Sequence, residues 1–375
     1  MSDAERLARV ALCRLSEPGD PRMIGLVRDL GAEMVLEHLA NERDLGGVLN
    51  DVAQRVRGLN PTRDLEWAAK AGARFVIPSD AEWPTQLGDL RHVEKLQERG
   101  GEPLGLWVKG KARLNTLAPA IAMVGSRSST SYGGHVAQEI AATVARKGIC
   151  VVSGAAVGID ADAHLGALAA GGVTAAVLAC GVDRAYPVAH AGLLDYIAEE
   201  GAVISEAAPG TQAARIRFLA RNRLIAGLGR GTVVVEAALR SGALNTSNWT
   251  ERLGRALMAV PGPVTSAPSQ GSHQLIRSGA TLVTNGEEVL ELVGRPGEHL
   301  TVEPRAPARP RDSLSSRDQQ VLDAVPKTSA SGADSIARVA GINLLHVQSA
   351  LGRLHDKGLV QSSDGGWMLT ERALS

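Results

Sequence analysis

Ile121-Ala122-Met123-Val124-Gly125-Ser126-Arg127-Ser128-Ser129-Thr130-Ser131-Tyr132-Gly133-Gly134 opens a stretch that closes with Gly148-Ile149-Cys150-Val151-Val152-Ser153-Gly154-Ala155-Ala156-Val157-Gly158-Ile159-Asp160. Two short apolar runs, Ile121–Val124 and Ile149–Val152, each feed into a Gly- and Ser-rich turn. Between them, His135–Arg146 sets Val136, Ile140, Ala141 and Val144 at helical spacing. A strand, a helix and a returning parallel strand bury both strand faces under helices. In such sheets ligands bind beyond the carboxyl ends of the strands, where both turns lie.

The first turn has the chemistry to hold a phosphate. Gly125 lets backbone approach a ligand, and the start of the next helix offers unpaired N–H groups and a positive dipole end. Arg127 adds a planar fork of donors suited to phosphate oxygens. Ser126, Ser128, Ser129, Thr130 and Ser131 supply hydroxyls to cap the helix or touch the ligand. A tight strand-to-helix turn with a solvated arginine fits the same residues, and the turn alone does not choose. It is not the dinucleotide fingerprint, because Arg127 stands where a second glycine is required.

Working outward, further strands are expected at Arg74–Ile77, Leu104–Lys109, Val173–Leu178, Ala202–Ser205, Thr232–Val235, Ala256–Val260 and Thr281–Val283. Helical patterns separate most of them, so the fold class is α/β, an extended Rossmann-like doubly wound sheet over residues 72–294. The charged stretch Asp89–Glu102 reads as a surface excursion. Residues 1–71 read as a small helical domain of the SAM or helix-hairpin type, with helices at Ala4–Leu15, Pro21–Leu30 and Met34–Leu39. Breaks fall at Pro18-Gly19, Gly31, Gly46-Gly47 and Gly58 to Pro61.

Residues 295–313 read as an extended linker, with four prolines and four arginines between Arg295 and Arg311. Residues 314–375 then give helices at Ser316–Ala324, Gly332–Ala340 and Asn343–Lys357, and a hairpin turning at Asp364-Gly365. Three helices and a hairpin make a winged helix, a fold that presents its third helix to DNA or to protein. The expected apolar face of that helix is Leu344, Val347, Leu351 and Leu354.

Hydrophobic content of 44% against 21% charged residues fits a folded, soluble chain. No apolar run approaches the length of a spanning helix, and the N-terminus lacks a signal-peptide pattern, so a cytoplasmic protein without membrane insertion is expected. Cys13, Cys150 and Cys180 are scattered, with no metal-ligand spacing. The formal net charge is zero, which gives no global nucleic-acid signal. Locally, Ala207–Val235 has no acidic residue and no lysine, but carries Arg215, Arg217, Arg221, Arg223 and Arg230.

Phe218 lies inside that run, in a chain with only two phenylalanines. A base can stack on such a ring while flanking arginines hold phosphates. An ordinary core Phe at a helix start is the competing reading. Arg217 and Arg221 share a helix face while Arg223 points elsewhere, so Arg223 with Asn222 fits a structural role as well as a phosphate contact. Asp160 and His164 have i, i+4 spacing without a third ligand, which favours a capping Asp and a packed His over a metal site. Asp183, Tyr186 and His190 form a polar cluster without a nucleophile, and Glu206 and Glu236 end strands.

Taken in order, the motifs Val124–Arg127, Ser153–Asp160, Gly181–Pro187, Ser205-Glu206, Arg221–Gly227, Val233–Ala237, Val260–Pro263 and Leu275–Ala280 make the chain resemble the DNA-processing protein A (DprA/Smf) family. The resemblance covers nearly the whole length. Two positions depart from it: Leu219-Ala220 follows Phe218 where the family often has Pro, and His273 stands where Asn is frequent. It implies a non-enzymatic core that binds single-stranded DNA, helps load a RecA-type recombinase in natural transformation or DNA uptake and repair, and forms a homodimer through the core.

The DNA-contacting set expected is Gly125, Ser126 and Arg127, then Ser153, Gly154 and Gly158, then Arg215, Arg217, Phe218, Arg221, Asn222 and Arg223. No cofactor, metal or catalytic residue is expected. Two other readings remain open at this point. One is a Rossmann-like nucleoside-monophosphate hydrolase cradling phosphate on the Ser153–Asp160 turn, although Glu236-Ala237-Ala238-Leu239 lacks the second acid such enzymes use. The other is a nucleotide-sensing regulator that reads duplex DNA through its winged helix.

Overall fold

The structure, a computed structural model, describes residues 3–41, 56, 58–295, 297–299 and 309–374. The expected Gly46-Gly47 break and most of the expected linker lie outside them. The chain divides into two compact units, Met1–Thr301 and Val302–Ser375.

All nine expected strands form, within a residue or two of their expected ends. They are β1 (Ala73–Val76), β2 (Leu106–Lys109), β3 (Ala120–Val124), β4 (Cys150–Ser153), β5 (Thr174–Leu178), β6 (Ala202–Ser205), β7 (Gly231–Val234), β8 (Ala256–Ala259) and β9 (Thr281–Leu282). They build one sheet in the order β1-β2-β6-β5-β4-β3-β7-β8-β9. Strands from β6 to β9 run parallel, and β2 is antiparallel to both its neighbours. From β3 the chain winds through β4 and β5 to β6, then recrosses to lay β7 against the free side of β3. The crevice between the carboxyl ends of β3 and β7 is therefore the topological switch point.

Both faces of the sheet are covered, as parallel strands require. Alternation along β3 sends Ile121 and Met123 into one apolar layer and Ala120, Ala122 and Val124 into the other. Full burial of each larger side chain contributes about 1.5–3 kcal/mol. The helix Arg215–Leu228 joins the second layer through Leu224, Ile225, Ala226 and Leu228. Its first turn is exposed or half-buried, while every residue from Ala220 to Leu228 is buried. Polar residues within that segment must therefore be paired.

The N-terminal helices Asp3–Leu15, Pro21–Leu30, Ala32–Ala40 and Pro61–Lys70 belong to the same compact unit as the sheet. Val10 and Leu12 share an apolar cluster with Phe75 and Trp107, whose rings lie 4.5 Å apart. Arg6 grips Asp80 with two hydrogen bonds of 2.9 and 2.7 Å. The stretch Asp89–Glu102 is more than the expected surface excursion. Leu90 is fully buried, and the buried Glu102 carboxylate accepts from Trp83 Nε1 at 3.0 Å and Arg91 Nε at 2.5 Å.

The C-terminal unit has helices Ser316–Ala324, Ala333–Ala340 and Leu344–Asp356, followed by the hairpin of β10 (Val360–Ser363) and β11 (Gly366–Leu369). This is the element order expected of a winged helix. Val347, Leu351 and Leu354 are buried as expected, but Leu344 is not, because it occupies the exposed first turn beside Leu345.

Candidate nucleic-acid interface

A cleft of about 920 Å³ opens at the switch point. Its walls carry the turn after β3, the first turns of the Arg215–Leu228 helix and the loop after β7. The charged residues lining it are Arg127, Arg215, Arg221, Arg240 and Asp160, four cations against one carboxylate. Phe218 is half-buried there, and Tyr186 is exposed with its ring centre 5.4 Å from that of Phe218. Arg127 Cζ lies 4.9 Å and Arg221 Cζ 5.8 Å from the Phe218 ring centre, distances of cation–π contact.

The two Gly-rich turns serve this wall by bracing it. Gly125 permits Ile159 and the Glu236 carbonyl to close in, since a Cβ there would lie 2.6 and 2.8 Å from them. Gly158 has φ +87°, and a side chain on it would strike the Ser126 carbonyl at 2.3 Å. Ser126 donates its N–H to Glu236 O at 2.6 Å and accepts from Ile159 N at 3.1 Å, which fixes the backbone that carries Arg127. Gly154 leaves room for the Arg221 guanidinium, which lies across it and donates to Val177 O at 2.7 Å.

Each turn already holds a carboxyl group of the protein's own. The buried Glu236 carboxylate accepts from Thr130 N at 2.9 Å and from Thr130 Oγ1 at 2.6 Å, at the N-terminus of the helix Ser131–Arg146. Thr130 Oγ1 in turn accepts from Gly133 N at 3.1 Å. The dipole end expected to hold phosphate is thus neutralised internally. In the second turn the N–H groups of Ala156 and Gly154 serve the buried Asp160 carboxylate. Burial holds Asp160 above the usual carboxylate range, against the pull of Arg221, those N–H groups and Arg127.

Residues 74–294 match the family defined as DNA recombination-mediator protein A. Over 98% of its length the chain is 42% identical to a DNA processing protein DprA of Mycobacterium tuberculosis, covering 95% of that protein. The chain belongs to the DNA recombination-mediator protein A family. Other members of this DprA/Smf group include Protein Smf of Escherichia coli, 36% identical over 80% of the chain and 78% of that protein. The crystal structure of DprA from Streptococcus pneumoniae superposes with a TM-score of 0.64 and 31% identity, over 77% of this chain and 97% of that one. DprA from Helicobacter pylori, described for its single-stranded DNA binding mode, shares the fold with a TM-score of 0.51 and 24% identity, over 59% of this chain and 96% of that one.

Within this DprA-family cleft the expected residues separate into two groups. Gly125, Ser126, Arg127, Arg215, Phe218, Arg221 and Asn222 line it. Ser153, Gly154, Gly158, Arg217 and Arg223 do not line it. Ser153 is fully buried and donates its hydroxyl to Met123 O at 2.6 Å. Arg223 is fully buried and grips Glu206 through two hydrogen bonds of 2.7 Å, with Nε reaching Gly101 O at 3.0 Å. Arg217 is held by Glu17 at 2.8 and 2.7 Å.

Arg240, Asn245 and Gln97 line the cleft without having stood out in the sequence. For Arg240 a signal existed: Leu239-Arg240-Ser241-Gly242 follows the carboxyl end of β7, where a Rossmann-like sheet places ligands. Asp160 and His164 form no metal site. His164 Nδ1 bonds Thr174 Oγ1 at 2.7 Å, and burial pushes the imidazole pKa down to about 3. Among the described residues no three His, Cys, Asp or Glu side chains converge for a metal, and no helix is long and apolar enough to cross a membrane.

Proposed function

We propose that this chain binds single-stranded DNA in the switch-point cleft and passes it to a RecA-type recombinase. One observation carries the reading: a half-exposed Phe218 ring sits in a cleft lined by four arginines, with two guanidinium groups within 6 Å of its centre. Unpaired bases stack on aromatic rings whatever their sequence, and arginines beside the ring hold the flanking phosphates. Arg127 occupies a face of Phe218 in the free chain, and an incoming base displaces it toward a phosphate. The single-stranded DNA binding of the Helicobacter pylori relative supports the same substrate.

Family membership supports the finer reading: work in the cytoplasm, as a homodimer through the core, in DNA uptake, transformation or recombination. Nucleotide hydrolysis is disfavoured because Glu236 and Asp160 fill the two turns that would hold the phosphate.

A competition between a labelled single strand and unlabelled duplex of the same sequence tests the substrate. The single strand is expected to win, and equal or better competition by duplex refutes the reading. Adding the chain to recombinase on single strands coated with a single-strand-binding protein is expected to speed filament formation.

A further inference from the structure

One wall of the cleft is a row of three amides. Asn222 follows Phe218 by one helical turn, so its side chain lies on the same helix face as the ring. Asn222 Nδ2 donates to Asn245 Oδ1 at 3.1 Å and to Gly242 O at 3.4 Å. Asn245 Nδ2 donates in turn to Gln97 Oε1 at 3.2 Å. Gln97 is placed by an unusual turn. Leu96 and Arg99 exchange hydrogen bonds of 2.8 and 3.0 Å, and the two residues between them, Gln97 and Glu98, have φ of +50° and +59°. Such a turn ordinarily selects Asn-Gly, and left-handed backbone without glycine is a strain that clusters at functional sites.

The row fixes which atom Asn222 offers. Both hydrogens of its Nδ2 are committed, one of them to a backbone carbonyl that can only accept. Oδ1 is the group left for a ligand, and it can only accept. We infer that Asn222 Oδ1 reads the exocyclic amino group of the nucleobase stacked on Phe218, so that the cleft favours amino-bearing bases. This deepens, and rests on, the single-strand reading above. Phosphate contacts position a strand without reading it, whereas an acceptor aimed at the base edge discriminates. A site built to bond a donor penalises the analogue that lacks it.

The test compares two short oligomers in direct binding: oligo(dA), and the same oligomer built from purine deoxynucleoside, which lacks only the 6-amino group. The wild-type chain is expected to bind oligo(dA) roughly 3- to 10-fold more tightly, the contribution of one hydrogen bond. Asn222→Ala is expected to abolish the difference between the two oligomers. Should Asn222→Ala not fold, Asn245→Leu releases the Asn222 amide and is expected to shrink the difference.

Equal wild-type affinity for the two oligomers overturns the inference while leaving single-strand binding standing. A preference that survives both Asn222→Ala and Asn245→Leu removes Asn222 from the role. Absence of binding to either oligomer overturns the single-strand reading and this inference with it.

Discussion

Arg127 and Phe218 are in contact across the switch point, guanidinium carbon to ring centre 4.9 Å, although they stand on different elements of the sheet's two halves. The turn after β3 carries the charge, and the helix that leads into β7 carries the ring. Their meeting concentrates stacking and phosphate binding at one place, and it depends on the packing of Gly125, Gly158 and Ser126 behind Arg127.

Phe218→Ala is expected to weaken single-strand binding by about 1–3 kcal/mol. Because the ring is only half-buried, its loss should cost clearly less stability than the ~3–5 kcal/mol typical of a buried Phe. Phe218→Tyr should retain most of the affinity. Anisotropy titrations and denaturant unfolding on the same preparations separate stacking from packing.

Glu206→Ala should destabilise the core unit by about 3–5 kcal/mol, since it strands the fully buried Arg223 charge. Replacing both partners by Met and Leu should recover much of that loss. Urea unfolding of the single and double variants measures the difference.

Glu236→Ala removes the internal anion at the Ser131–Arg146 helix start, leaving Thr130 N without its acceptor. A stability loss of about 1 kcal/mol is expected for the freed, part-buried donor. The emptied site should also gain weak affinity for inorganic phosphate, which the wild-type turn should not show. Thermal shifts in the presence and absence of phosphate check both outcomes.

His164 gives the core unit a pH dependence of defined sign. Its pKa falls to about 3 in the folded chain because burial disfavours the imidazolium, with Arg221 and His190 adding to the effect. Unfolded, it titrates near 6.5. The unfolded state therefore binds the extra proton between these values, and stability is lost as pH drops below about 6.5, by up to ~1.4 kcal/mol per pH unit. Raised by burial, Asp160 acts in the opposite sense, from the ordinary carboxylate pKa upward. Between pH 7 and pH 5 the wild type should lose more stability than His164→Gln does, which unfolding midpoints at the two pH values measure.

The strand pattern was legible because each strand is a short apolar run bounded by Gly, Pro or charge, and the nine runs reappear as nine strands. Phe218 was legible because an aromatic ring inside an arginine run conflicts with a simple core role. What could not be read were pairings distant in sequence. Arg217 looks as free as Arg215 until Glu17 is brought to it, and the structural role that helix spacing gave Arg223 finds its partner only when Glu206 is brought close. Nor does anything local announce that Glu236, 106 residues along the chain from Thr130, fills the turn expected to hold phosphate. The tip at Gln97 escaped notice because left-handed backbone was not expected of Gln-Glu.

The most direct measurement is the salt dependence of single-strand affinity for the wild type and for Arg127→Ala, Arg215→Ala and Arg240→Ala. Each phosphate neutralised on a single strand adds about −0.7 to the slope of log affinity against log salt. The wild-type slope should be steep, and each variant should lower it by about one such step, weakening all sequences alike. Slopes unchanged in all three variants would mean that the switch-point cleft does not hold the DNA.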